Sequence, residues 1–575
     1  MLASLTKRSP LALLGALAFA PSPASGAQLG PGTVLSQQKI SASAGGFGGA
    51  LNPLDEFGAA LVHLGDLDGD GVGDLAVGAQ NSFFSEGAVW ILFLNANGTV
   101  KAEQLITEGM GGFRGPLQVD RFGSALAALG DLDGDGTPDL AVGAFTDNTS
   151  VAGSGSVWIL FLNANGTVKA EQKISPVDGG FTGLLQANDR FGASLASLGD
   201  LDGNGAADLA VGAVEDDAGA PNAGAVWILF LETVGTVASH QKISASDGGF
   251  AGVLNADDRF GAAVSPLDDL NGDGTPDLAV GARLDDDGGP DRGAVWLLFL
   301  DVDTGGGTPA VTVESHVKIS ASAAQFGAQL GDSEQFGHAL ALLGDLDLDG
   351  VRELAVGSPD GSGGSVWVLF LEPTGSVRCQ TKIGLNLGGF AGAIQSGDSF
   401  GIALDALDDL DGDGIAELAI GASGDDDGGN TQGAVWIAFA DGTTALPYGL
   451  TSDVGALSLS AGGTQNLGLH PGACHASDQF LLLGTMSGAV KGFPVSPFLI
   501  PLNLDAFFLA TLAAAPLNTF LDSTGNGSAS VVVPPGSDPL LAGTTVHRAF
   551  LVFDSNAAFP ALSFVSNAVP LDLIP

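Results

Sequence analysis

GDLDGDGVGDLAVGA, residues 65–79, places four aspartates, Asp66, Asp68, Asp70 and Asp74, directly ahead of an apolar run. The stretch returns five times, as GDLDGDGTPDLAVGA (130–144), GDLDGNGAADLAVGA (199–213), DDLNGDGTPDLAVGA (268–282), GDLDLDGVRELAVGS (344–358) and DDLDGDGIAELAIGA (408–422). The first aspartates of successive copies are 65, 69, 69, 76 and 64 residues apart. Self-similarity at a fixed period marks a repeat architecture in which each unit cannot bury its apolar faces alone.

Three further signals travel with the aspartates. Phe-Gly precedes each copy, at Phe57, Phe122, Phe191, Phe260, Phe336 and Phe400. A version of GAVWILFL follows each copy and holds all six tryptophans, Trp90, Trp158, Trp227, Trp296, Trp367 and Trp436. A short segment like EQKIS comes next. Continuous runs such as AVWILFL suit strands covered on both faces. Four short strands in about 65 residues, separated by glycine-rich turns, predict a β-propeller blade. The chain also supplies a closing device. LSQQKISAS (35–43) stands alone before the first Phe-Gly, and the sixth unit ends at VWIAFADG without such a segment. The front strand therefore completes the last blade and leaves no open edge. The expected fold is all-β: a six-bladed propeller over residues 28–445, then a β-sandwich over 455–575.

Carboxylates spaced as D-x-D-G-D-G-x-x-D repel one another unless a cation neutralises them. Oxygens at positions one, three, five and nine, with a backbone carbonyl at seven, suit Ca²⁺, which takes six to eight hard oxygen ligands. The glycine at position six (Gly71, Gly136, Gly205, Gly274, Gly350, Gly414) allows the sharp turn. Histidine and cysteine are absent from the loops, which argues against zinc or copper. Position twelve is an apolar strand residue such as Val77, so the loop is not an EF-hand. The copies differ. Asn204 and Asn271 each replace a carboxylate and predict weaker third and fourth sites. Glu353 and Glu417 replace aspartate at position nine. Leu348 replaces the usual glycine at position four and marks the fifth site for distortion.

Phe-Gly, the aspartate loop and the LAVGA segment together resemble FG-GAP repeats, those of the integrin α-chain N-terminal β-propeller, over about residues 34–445. The resemblance implies Ca²⁺ in β-hairpin loops on one face and partners on another. It implies a ligand set of Asp66, Asp68, Asp70, Asp74 and the Val72 carbonyl in the first loop. In the second the set is Asp131, Asp133, Asp135, Asp139 and Thr137; in the third, Asp200, Asp202, Asn204, Asp208 and Ala206. The fourth has Asp269, Asn271, Asp273, Asp277 and Thr275; the fifth, Asp345, Asp347, Asp349, Glu353 and Val351; the sixth, Asp409, Asp411, Asp413, Glu417 and Ile415. Six repeats rather than seven, six acidic loops, no inserted ligand-binding domain and no transmembrane stretch set the sequence apart from integrin chains. It looks more like the secreted FG-GAP proteins of bacteria.

Composition narrows the partners. The 575 residues hold 19 basic against 65 acidic side chains, a formal charge of −46, which argues against nucleic acid and anionic lipid surfaces. Hydrophobic residues at 45% and a mean hydropathy of +0.32 supply cores despite that charge. The N-terminus reads as a signal peptide over residues 1–27: Lys7 and Arg8, the apolar Leu11–Ala20, then a small-residue cleavage site at Ser25-Gly26-Ala27. The mature chain is expected to be secreted or held at the cell surface. Two cysteines, Cys379 and Cys474, do not form a disulfide framework; they read as independent buried thiols or one bridge. A second set of acidic clusters, Asp216-Asp217, Asp285–Asp287 and Asp425–Asp427, reads as solvated surface turns. His470, Cys474 and His475 read as ordinary loop residues, and LDSTGNG (521–527) as a turn.

Three function classes remain: a non-enzymatic extracellular binding or adhesion-like module for a protein or glycan, a structural surface or matrix component, and a hydrolase or lyase acting on polysaccharide. The loops absorb 22 of the 65 acidic residues, and no nucleophile motif falls inside the repeats. A catalytic site also breaks a repeat where it sits. The binding module is the favoured reading, without catalytic residues.

Overall fold

The structure, a computed structural model, describes residues 32–440 apart from 306–307, 324–325, 327–329 and 347–349, with Ala18–Ala20 and, chiefly as strands, parts of 449–574. The chain divides into two compact units, Gly32–Gly442, and Met1–Pro31 with Thr443–Pro575.

Each repeat folds as a four-stranded antiparallel sheet. In the first, Phe57–Gly65, Asp74–Ala79, Ala88–Leu94 and Val100–Ile106 lie side by side in chain order. The first strand starts at or just after Phe-Gly, the LAVGA segment is second, the tryptophan segment third and the KIS-type segment fourth. The sixth blade takes its fourth strand from the front of the chain. Val34–Ser41 pairs antiparallel with Ala434–Ala440, setting Lys39 opposite Trp436. The first strand of the sixth blade packs against that of the first.

Single parallel bridges stitch the blades together. Gly87 bridges to Phe122, Gly155 to Phe191, Gly224 to Phe260, Gly293 to Phe336 and Gly364 to Phe400; Gly433 to Phe57 closes the circle. The glycine of LAVGA is required at this seam. A Cβ at Gly78 would collide with the carbonyl oxygen of Gly123 in the next blade, and Gly421 stands in the same way against Gly58. The third strands of blades one, two, three and five are buried along their whole length, as at Ala88–Leu94 and Ala225–Leu231. Both faces are covered because the core lies between blades: Val89, Ile91 and Phe93 of the first pack with Leu140, Val142 and Trp158 of the second. A second phenylalanine per repeat completes this seam. Phe113 sits 5.0 Å from Phe122 and 5.1 Å, edge-on, from Trp158, and Phe47, Phe181, Phe250, Phe326 and Phe390 repeat the arrangement.

The other unit is also built of strands. One sheet runs Ala18–Ala20, Gly527–Val533, Gly463–His470, Gly449–Ser452. A second runs Ala456–Ser458, Val569–Ile574, Thr544–Asp554, Gln479–Thr485, with Ala561–Val565 also paired to Thr544–Asp554. Residues 1–17, 21–31, 471–478 and 521–526 lie outside the described residues, and with them most of the leader, the Cys379–Cys474 question, Cys474 and His475, and most of LDSTGNG. Among the described residues no helix is long and apolar enough to cross a membrane.

Candidate metal centres

Every acidic loop joins the end of a first strand to the start of a second, so the loops gather at one end of the propeller. Position one organises the loop. Asp66 accepts the Gly69 and Asp70 N–H groups on Oδ1 (2.8 and 2.9 Å) and the Gly71 N–H on Oδ2 (2.8 Å). Asp200, Asp269 and Asp409 accept the three corresponding groups, Asp131 accepts the Asp135 and Gly136 N–H groups, and Asp345 accepts the Gly350 N–H at 2.9 Å. Position five accepts the N–H of position seven: Val72 to Asp70, Thr137 to Asp135, Ala206 to Asn204, Thr275 to Asp273 and Ile415 to Asp413.

Position nine is buried. Asp74 accepts the Leu67 N–H on one oxygen and the Leu94 N–H on the other, each at 3.0 Å. It therefore ties the loop to the end of the third strand. Asp139, Asp208 and Asp277 do the same with Leu132 and Leu162, Leu201 and Leu231, and Leu270 and Leu300. Glu353 and Glu417 accept the Leu346 and Leu410 N–H groups at 2.5 and 2.6 Å. Burial pushes Asp74, Asp139 and Asp277 up to about 6, and Asp208 and Glu417 up to about 7. A nearby cation would reverse that cost by favouring the charged form.

Four loops bring three or four carboxylates within 4.8 Å of one another: Asp66, Asp68 and Asp70; Asp131, Asp133 and Asp139; Asp200, Asp202 and Asp208; Asp409, Asp411, Asp413 and Glu417. In the fourth loop Asn271 instead donates to Asp273 at 2.7 Å. Asp347, Leu348 and Asp349 of the fifth lie outside the described residues. The donors suit a hard divalent cation. All are oxygens, and a carboxylate oxygen that accepts one N–H retains a second lone pair.

Two features escaped the sequence reading. Lys101 and Lys169, from the fourth strands of the first two blades, reach into their own blades' acidic loops. Lys101 pairs with Asp68 at 3.0 Å and with Asp70; Lys169 pairs with Asp133 at 2.9 Å and with Asp135. The Lys101 ammonium and the Val72 N–H hold Asp70 below its usual range. The available signal was VKAEQ, present in only these two of the fourth strands.

The second feature corrects an expectation. Asp216, Asp285 and Asp425, read as solvated, are buried and paired with the KIS lysines Lys242, Lys318 and Lys39 at 2.6, 2.7 and 2.6 Å. Lys173 pairs with the buried Asp147, and Lys382 with the buried Glu334. Each of the five ammonium groups also sits 4.5–5.5 Å from a tryptophan ring centre. The lysine, separated from its partner by 26 residues in the third blade, removes the reason for the aspartate to face water.

A ring of four-stranded blades, each with an acidic hairpin loop at the same end, defines the class: a repeat β-propeller with loops suited to cations. Residues 57–92, 122–160, 191–229, 260–298, 336–369 and 400–437 match the FG-GAP repeat family model. Integrin alpha-PS2 of Drosophila melanogaster is 32% identical over 242 residues, 41% of this chain and 16% of its own length. Integrin alpha-4 of Xenopus laevis is 37% identical over 169 residues, and integrin alpha-3 of Cricetulus griseus 36% over 166, each match covering 28% of this chain and 14% of the relative. The matched part is thus less than a fifth of each relative. The propeller is an integrin α-like array of FG-GAP repeats.

Proposed function

We propose that the chain is a secreted, calcium-dependent binding module: a rigid propeller whose acidic loops hold Ca²⁺ at one end and whose other surfaces engage an extracellular protein or glycan. The observation that carries this reading is the clustering of carboxylates in loops with the same hydrogen-bonded frame in blade after blade. In this reading position one shapes each loop, positions three, five and nine offer carboxylate or amide oxygens, and position seven offers its carbonyl. The ions neutralise charge that otherwise opposes compaction. The repeats keep their pattern through all six copies, which favours binding over catalysis.

The test is capture on the immobilised full chain from extracellular matrix and surface extracts in Ca²⁺ buffer, followed by EGTA. A partner retained with Ca²⁺ and released by the chelator supports the reading. Retention unaffected by EGTA, or none, contradicts it. Self-association in place of a partner would favour a structural matrix role.

A further inference from the structure

The residue before Phe-Gly is left-handed in all six blades: Glu56, Arg121, Arg190, Arg259, Gln335 and Ser399 have φ between 54° and 61°, and none is glycine. The first strand runs from here toward the acidic loop, so these residues gather at the opposite end of the propeller. A cavity of about 740 Å³ opens there, lined among others by Arg121, Phe145, Arg190, Glu215, Arg283 and His338. That volume is within the range of ligand sites, about 300–1,000 Å³.

The cavity's charge is opposite to that of the chain. Arg121 and Arg190 lie 5.7 and 5.3 Å from the Phe145 ring centre. Arg190 pairs with Glu215 at 2.9 Å, and Arg259 pairs with the same carboxylate. Arg121 and Arg283 have no carboxylate within ion-pair distance among the described residues; Arg283 makes one long hydrogen bond, 3.3 Å, to Gln335. Burial, and after it the nearby Arg259, lower the Arg283 pKa, while Glu215 and Asp291 oppose the shift. His338 Nδ1 is buried without a hydrogen-bond partner. Beside this cluster the Ser85 carbonyl accepts the Arg121 N–H at 3.0 Å, and the adjoining Phe84 is 98% exposed.

We propose that this end of the propeller binds an acidic side chain of a protein partner, with the arginines receiving the carboxylate and Phe84 meeting an apolar neighbour. The proposal rests on the binding-module reading and names the chemistry of its partner. Guanidinium forks match a carboxylate two bonds at a time. A polyanion such as a sulfated glycan would be repelled by a chain of formal charge −46, whereas an isolated carboxylate reaches the arginines without that cost.

The probe is a phage-displayed library of random peptides, selected on the immobilised full chain in Ca²⁺ buffer. Arg121→Gln, Arg283→Gln and their double variant serve as counter-targets. Arg352→Gln, which removes a charge paired with Asp268 outside this cavity, controls for net charge. Each variant is first matched to the parent in thermal midpoint; the singles serve if the double does not fold. Peptides that lose about tenfold or more in affinity for the arginine variants, but not for Arg352→Gln, are expected to contain Asp or Glu. Their Asn or Gln counterparts are expected to lose binding equally. Selection indifferent to Arg121 and Arg283, peptides without acidic residues, or displacement by inorganic phosphate as effective as by the acidic peptide would overturn the proposal. Those results would leave EGTA-sensitive capture standing, so the two readings fail separately.

Discussion

At position nine of each loop a single carboxylate has two tasks. Asp74 satisfies two buried backbone N–H groups and is also a candidate cation ligand. Asp68, exposed at position three, makes no such backbone bonds. Asp74→Ala is therefore expected to destabilise the chain by about 2–4 kcal/mol in denaturant unfolding even with EDTA present, because two N–H groups lose their acceptors. Asp68→Ala, which in EDTA loses only a surface pair with Lys101, is expected to cost less than about 1 kcal/mol there and more when Ca²⁺ is present. Equal effects of the two in EDTA would contradict this division. Buried acids outside the loops add to the pH dependence that the position-nine carboxyls carry. Asp189 and Asp258, two residues ahead of Phe-Gly, are pushed up to about 6 by burial. A raised carboxyl pKa means that the folded chain binds the proton more tightly than the unfolded chain. Their contribution is full below about pH 4 and is lost as pH rises through about 6. Asp189→Asn, which keeps an acceptor for the Gln186 N–H, is expected to flatten the fall in thermal midpoint between those values. An unchanged slope would show that Asp189 is not part of it. The aspartate pattern was legible in the sequence because its spacing is local. The Lys101 pairing was not, since a fourth-strand residue reaches the loop only once the sheet is formed.

Blade three closes its outer strands with Lys242, buried Asp216 and Trp227, whereas blade one has Leu105 opposite Trp90 and a buried Ser82 in the corresponding loop. Lysine and aspartate are thus replaced together. Removing one member of a buried pair leaves an uncompensated charge, so Asp216→Ala is expected to cost about 3 kcal/mol. Combining Asp216→Ser with Lys242→Leu, the blade-one solution, is expected to recover most of that loss in the same unfolding assay. A double variant no more stable than Asp216→Ala would show that the pair is not a closed unit. Strand order, the tryptophan strand and the closing strand could be read from apolar runs and the missing KIS segment. The burial of Asp216, Asp285 and Asp425 could not, because charge density alone does not reveal a lysine arriving from the next strand but one.

Over the whole molecule, closure and charge are the two demands. Val34–Ser41 covers the outer edge of Ala434–Ala440. Deleting 32–43 should expose that edge, lower the thermal midpoint and produce oligomers in light scattering; a monomer of unchanged midpoint would contradict the closing role. The formal charge of −46 is the second demand. An ion bound with a Kd tenfold below ambient Ca²⁺ stabilises by about 1.4 kcal/mol, so one per loop gives roughly 8 kcal/mol, comparable with a domain's whole stability. The ring was legible in the sequence from its period. The arginine-lined cavity was not, since it assembles single residues from several blades. The most direct test of a calcium-held propeller is the thermal midpoint of the full chain, stripped of metal and then titrated with Ca²⁺. A midpoint that climbs steadily with Ca²⁺ and collapses in EGTA is the predicted result; one indifferent to both would contradict it.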